Sequence, residues 1–272
     1  MRGSGETTGS GATTGGETAG TVRRTRSRLR LRPVRPAGWW FDVLLLAALA
    51  GLTFALAEGH LYGIDQAVRE WCNAHRPDAA RWIAQVFNFL GQGGWLLTPI
   101  AAILGISTAL RSRSIRPVLV VAAAFVATYV TIGPFKLWTD RAAPSSKTLP
   151  PEESVKIFNH GLDEYSMSYP SGHVANAIIW YGVIALLLVS LLRTLGRPHP
   201  PAGLARAIRI APPVIVFVTT TYLSYHWITD SVAGVLLGLF VDRLLARIPW
   251  DDLPLPALPN GLDRPGVFTD AL

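Results

Sequence analysis

Residues 169–192 read YPSGHVANAIIWYGVIALLLVSLL, which sets a proline, a serine, a glycine and a histidine at the mouth of an apolar run. At about 1.5 Å per residue, Val174–Leu192 comes close to crossing a hydrocarbon layer of about 30 Å. Backbone in lipid must satisfy its own hydrogen bonds, so the run reads as a helix. Pro170 disfavours a helix continuing into it, Ser171 can cap a helix that starts at about His173, and Gly172 lets a ligand come close to the backbone. The free amides of such a helix start attract anions, phosphate above all.

Outward from this stretch the chain is just as apolar. Half of its 272 residues are hydrophobic and 16% are charged, which argues against a soluble single-core domain. Five more apolar stretches accompany the first: Trp40–Ala57, Gly91–Leu110, Pro117–Phe135, Ala211–Tyr225 and Ser231–Ala246. The fold expected is an all-α integral membrane protein with six transmembrane helices in residues 39–247. Residues 1–38 are expected to form a disordered, basic cytoplasmic tail, and residues 248–272 an irregular one. The first apolar run lacks a small-residue cleavage site and reads as a span rather than a secretory signal.

Basic residues orient the bundle. Eighteen of the 25 lie before the first span, in the RSRSIR loop, between Arg193 and Arg209, or after Leu239. That side is cytoplasmic by the positive-inside rule, so both termini face inward and loops 58–90, 136–173 and 226–230 face outward. The single cysteine, Cys72, excludes an internal disulfide. It lies in GIDQAVREWCNAHRP, where Ile64, Val68, Trp71 and Cys72 recur at helical spacing, as in a short helix lying on the outer surface.

The outward face collects the chemistry. Lys136 closes the third span, His173 opens the fourth, and His226 and Asp230 stand where the fifth meets the sixth. From His173 the chain runs down one span and back up another, so both histidines return to one surface. His226 and Asp230 are spaced i, i+4, which lets the carboxylate hold the imidazole if a helix begins near His226. Taken singly these residues have plainer readings: His226 as an interfacial anchor, Asp230 as a helix cap, Lys136 as a snorkelling cation. Clustered at a membrane surface beside a capped helix end, they describe a phosphoryl-transfer pocket.

PSGH at 170–173, Lys136 upstream, and His226 with Asp230 downstream resemble the type 2 phosphatidic acid phosphatase superfamily, over roughly residues 40–246. The resemblance implies a six-helix bundle and a lipid phosphatase of a bacterial plasma membrane, with its site outside the cytoplasm. It implies that His226 attacks phosphorus to form a phosphohistidine, that Asp230 orients it, and that His173 protonates the leaving alkoxide and later activates water. Lys136, Ser171 and Gly172 would hold the phosphoryl oxygens. No metal or other cofactor is implied; the partners are a phosphorylated lipid and the surrounding lipids, with no nucleic acid.

Two positions depart from the family's pattern. Ala143 stands where an arginine precedes Pro144, and Thr219-Thr220 stands in place of Ser-Arg before His226. Arg141, two residues before Ala143, is the expected substitute for the first missing cation, the plainer reading being that it pairs with Asp140 or meets lipid headgroups. Loop 145–168 is expected to cover the pocket and to offer Lys147, Lys156, His160, Asp163 and Glu164 to a headgroup. The candidates for substrate are polyprenyl and glycerolipid phosphates or pyrophosphates. A relative that binds or translocates such lipids with little or no catalysis remains the alternative, while a vanadium haloperoxidase would need arginines this chain lacks.

Overall fold

The computed structural model describes residues 31–160, 167–198 and 200–268. Its helices are α1 (Trp40–Ala57), α2 (Tyr62–Ala74), α3 (Asp78–Asn88), α4 (Thr98–Ser112), α5 (Arg116–Thr139), the single turn α6 (Pro151–Ser154), α7 (Gly172–Thr194), α8 (Ala202–Tyr222) and α9 (Ile228–Arg247). A 3-10 turn at Phe89–Gly91 and a π-turn at Gly93–Leu97 lead into α4. The basic tail expected at 1–38 lies outside the described residues up to residue 30.

Among the described residues, five helices are long and apolar enough to cross a membrane: α1, the continuous Gly93–Ser112 run, α5, α7 and α8. The remaining expected span, α9, has 20 residues but carries Asp230, Asp242, Arg243 and Arg247. α8 begins at Ala202 rather than Ala211. Arg206 and Arg209 interrupt the apolar run, yet arginine is a good helix former. Arg209 Nη2 also finds Asp242 Oδ2 of α9 at 2.8 Å.

α7 is the centre of the bundle. In its most apolar window 61% is buried, against 22–28% for the other four, so α7 meets protein where they face outward. α9 packs against it through small residues. A Cβ on Gly234 would lie 2.7 Å from Ser171 O, and one on Gly238 would lie 3.0 Å from Ala175 Cα, so the two backbones approach as closely as glycine allows. This contact begins near the starts of α7 and α9, the ends that carry His173 and Asp230, and continues into the third turn of α9.

The opposite end is closed by ions. Asp42 of α1, buried, receives Arg243 Nε at 2.5 Å and Arg247 Nε at 3.1 Å. The guanidinium of Arg243 stacks on Phe41 and that of Arg247 on Trp39. The carboxy-terminal segment is irregular in backbone but packed. Trp250 and Phe268 are buried, Asp251 accepts the amides of Val267 and Phe268 at 2.9 Å each, and Arg116 Nη1 donates to Trp250 O at 2.5 Å.

α2 and α3 are amphipathic. Cys72 faces inward, and burial raises its thiol above the ordinary value, while Ile64 and Trp71 on α2 and Trp82, Ile83, Val86 and Phe87 on α3 are exposed. An outward apolar face on a short helix suits the interface between headgroups and acyl chains.

Candidate active site

The site forms where the start of α7, the end of α8, the start of α9 and the loop after α5 converge. Ser171 is extended (φ −62, ψ 110), and its Oγ accepts Val174 N at 3.4 Å. That cap starts α7 at Gly172. It leaves the amides of Gly172 and His173 with no hydrogen-bond partner among the described residues, and the Ser171 hydroxyl hydrogen uncommitted. Ser171 N donates to Asp230 O at 2.9 Å, tying this helix start to α9. The Lys136 stem crosses the same place: a Cβ on Gly172 would lie 3.3 Å from Lys136 Cε, and Lys136 Nζ donates to Met167 O.

His226 lies just before α9, with Trp227 as N-cap, so His226 and Asp230 do not share a helix face. They meet nonetheless. Asp230 is at the third helical position, and its Oδ2 turns back to accept Trp227 N at 2.9 Å, which brings it to 3.7 Å from His226 Nδ1. Asp230 is therefore helix cap and imidazole partner at once.

Ser168 completes the contact. It spends its hydroxyl hydrogen on Asp230 Oδ2 at 2.5 Å, and its Oγ lies 3.3 Å from His226 Nδ1. With that hydrogen committed, Nδ1 must be the donor in the second contact, so the lone pair of neutral His226 sits on Nε2. Burial lowers the imidazole below its ordinary value, with the Asp230 interaction opposing, which keeps it neutral. The His173 ring stands edge-on to it, centroids 5.6 Å apart. His173 Nε2 is 3.2 Å from Gln92 Nε2, and an amide that can donate or accept can follow a proton on that nitrogen.

Arg141 is not a phosphate contact in this geometry. Its Nε donates to Val155 O, Nη1 to Thr229 Oγ1 and Asp230 Oδ1, and Nη2 to Asp65 Oδ2 and Val155 O, at 2.5–3.0 Å, with the whole side chain buried. All five N–H groups of the guanidinium are used, so none remains for a ligand. Asp65 also accepts Thr229 N at 3.1 Å and Thr229 Oγ1 at 2.7 Å, linking α2 to the start of α9. The chain Asp65–Arg141–Asp230–Ser168–His226 thus fixes the imidazole from behind. In loop 145–168, Lys156 pairs with Glu153 at 2.8 Å and His160 lies 3.6 Å from Asp140, while Asp163 and Glu164 fall outside the described residues.

Sequence reasoning missed Ser168, Gln92 and the role of Asp65. Only Asp65 left a trace, in the GIDQAV stretch read as the start of a short outer-surface helix.

Residues 117–254, which hold Lys136, Arg141, the PSGH stretch, His226 and Asp230, match the family profile described as PAP2 superfamily. The chain belongs to the PAP2 superfamily. It is 33% identical over 110 residues to phosphatidylglycerophosphatase B of Bacillus subtilis (strain 168), a match covering 40% of this chain and 47% of the relative. The chain thus spans about half the length of the curated relative it matches. A solved structure described as the first transmembrane PAP2 type phosphatidylglycerolphosphate phosphatase from Bacillus subtilis superposes with a TM-score of 0.60 at 24% identity, covering 75% of this chain and 93% of that one. That likeness shows the fold, an all-α membrane bundle. Within the PAP2 pattern, the hydroxyls of Thr219 and Thr220 turn back to Val216 O and Phe217 O of their own helix, so they do not replace an arginine.

Proposed function

We propose that this PAP2 member is a lipid phosphatase that cleaves a phosphate or pyrophosphate from a polyprenyl or glycerolipid at the outer membrane face. The observation that carries the reading is the setting of buried His226, whose Nδ1 lies 3.3 Å from Ser168 Oγ and 3.7 Å from Asp230 Oδ2, an arrangement that assigns the proton to Nδ1 and the lone pair to Nε2. The glycerolipid branch draws on the relative named for phosphatidylglycerophosphate. α9 is read as the sixth span, both termini as cytoplasmic, and the setting as a bacterial plasma membrane.

His226 Nε2 donates its pair to phosphorus as the bond to the lipid oxygen breaks. His173 passes a proton to that oxygen and the lipid alcohol leaves. Lys136, the Ser171 hydroxyl and the Gly172 amide hold the other phosphoryl oxygens while charge spreads over them. His173 then takes a proton from water, whose oxygen attacks phosphorus. The N–P electron pair returns to Nε2 and phosphate departs. Splitting hydrolysis at a covalent histidine replaces metal activation of water.

The commitment of Arg141 to carboxylates, and of Thr219 and Thr220 to their own helix, favours a second reading: a protein that binds or moves phosphorylated lipid with little catalysis. Phosphate release by the purified full chain in detergent, from a panel of lipid mono- and diphosphates with and without chelator, separates the two. Release that survives chelator and vanishes in His226→Ala is expected. Absence of release from every lipid leaves the binding reading, and release by His226→Ala refutes the histidine route.

A further inference from the structure

Beside the His226 pocket lies a cavity of about 260 Å³ lined by three arginines, Arg69, Arg76 and Arg81, and by no carboxylate. The three come from the last turns of α2, the α2–α3 turn and the first turn of α3. Arg76 is held in place: its Nη1 donates to Tyr222 O at 2.7 Å and Ser224 Oγ at 3.2 Å, and its Nη2 to Asn73 Oδ1 at 2.7 Å. Arg69 Nε donates to Pro144 O at 2.9 Å, which leaves its terminal nitrogens uncommitted. The Arg81 side chain makes no hydrogen bond or ion pair among the described residues, its backbone amide alone donating, to Pro77 O at 2.9 Å. Three guanidinium groups around one space repel each other until an anion enters.

The cavity adjoins the catalytic residues. Arg69, Pro144 and Ser224 also line the crevice that reaches His226 and Trp227, and that crevice has no room for a water molecule. Pro144 follows Ala143, and Tyr225, another wall residue, precedes His226. The arginines thus lie against the segments that follow positions 143 and 220, where the family's cations are missing. We propose that this cavity is an anion subsite that takes a second phosphoryl group of the lipid substrate, the one His226 does not attack, with the substrate reaching both places over the outer surface because the crevice between them is closed. Its volume is below that of sites for drug-sized ligands, about 300–1,000 Å³, so it suits a headgroup phosphate rather than a chain. Arginine forks suit phosphoryl oxygens. The word "substrate" rests on the phosphatase reading; anion binding by the cavity does not.

The test has two arms, both on the full chain in detergent. Equilibrium dialysis with labelled pyrophosphate compares the parent with Arg81→Gln and Arg69→Gln; Arg81→Gln removes no contact that holds the fold. Pyrophosphate affinity is expected to fall about tenfold or more in each, the effect of losing one charged phosphoryl contact, while orthophosphate affinity changes less than about threefold. Unchanged pyrophosphate binding in both variants overturns the subsite. In turnover, Arg81→Gln is expected to cut kcat/KM about tenfold on a lipid diphosphate, or on a lipid bearing a phosphomonoester and a separate phosphodiester, and to leave a lipid monophosphate within about twofold. Loss on the diphosphate alone places the second group next to the attacked one; loss on the monoester–diester lipid places it across a spacer. Equal loss on the monophosphate overturns the proposal, because the cavity then serves the attacked group. If no lipid is turned over, the phosphatase reading fails and the dialysis still decides this one.

Discussion

Arg141→Ala tests whether this arginine holds the site or binds the ligand. Its guanidinium and both carboxylates it meets, Asp65 and Asp230, are fully buried. After truncation Asp65 keeps Thr229 N and Oγ1, and Asp230 keeps Ser168 Oγ and Trp227 N, so the carboxylates retain hydrogen bonds but lose their cation. Val155 O loses both of its donors as well. Leaving buried charge uncompensated costs about 3–5 kcal/mol, which is a large share of a marginal stability. Thermal unfolding in detergent, followed by circular dichroism, should show that deficit with no phosphate or lipid present. Burial already raises Asp65 above the usual carboxylate range despite Arg141, and removing the cation raises it further. Protonation at low pH then discharges the group, so the deficit should narrow as pH falls. Adding Ala143→Arg should not restore stability, and Arg141→Lys should restore only part, since one ammonium cannot meet Asp65, Asp230 and Val155 O together. An Arg141→Ala protein that melts with the parent yet loses affinity for phosphate would refute the argument and return Arg141 to the ligand.

Ser168→Ala should lower kcat by about 10–100-fold with KM little changed, because a hydrogen bond to a charged group is worth about 1.5–3 kcal/mol and this one holds the Asp230–His226 contact; steady-state kinetics on a lipid phosphate reads it. Because burial lowers the His226 value, the neutral nucleophile should persist as pH falls through the ordinary imidazole range of about 6.5, with kcat/KM declining only below it; an acid limb at or above that value would count against the assignment. In intact cells a membrane-impermeant thiol reagent should label a cysteine placed at Lys147 and spare one at Arg197, and the reverse pattern would invert the proposed topology.

The bundle was legible because lipid leaves a chain few options: apolar runs had to be helices, three of the expected spans fell inside helices that cross by length and composition alone, and two more overlapped such helices. The start of α8 was not, because Arg209 looks like an end until its partner Asp242, from another helix, is known. The meeting of His226 and Asp230 was foreseen with the wrong local geometry: i, i+4 spacing suggested one helix face, whereas a helix start turns the carboxylate back. Arg141 shows the limit most clearly. Its neighbours in sequence pointed to phosphate, and the residue that claims it, Asp65, lies 76 positions away. Ser168 carries no spacing signal at all. Nor did anything in the chain alone show that Arg69, Arg76 and Arg81 share a cavity closed by the residues that follow α8.

The clamp on Asp42 makes α1 wait for α9. Its two arginines lie 201 and 205 positions further along the chain, so a growing polypeptide delivers α1 with an acid whose partners have not yet been synthesised. Until α9 arrives, that carboxyl must stay among headgroups, take up a proton, or shelter against insertion machinery. A chain cut short anywhere before Arg243 therefore keeps an unmatched acid at its first helix, a flaw that membrane proteases can recognise. Completion of synthesis is thereby coupled to closure of the bundle, by the same contact that holds the finished protein shut.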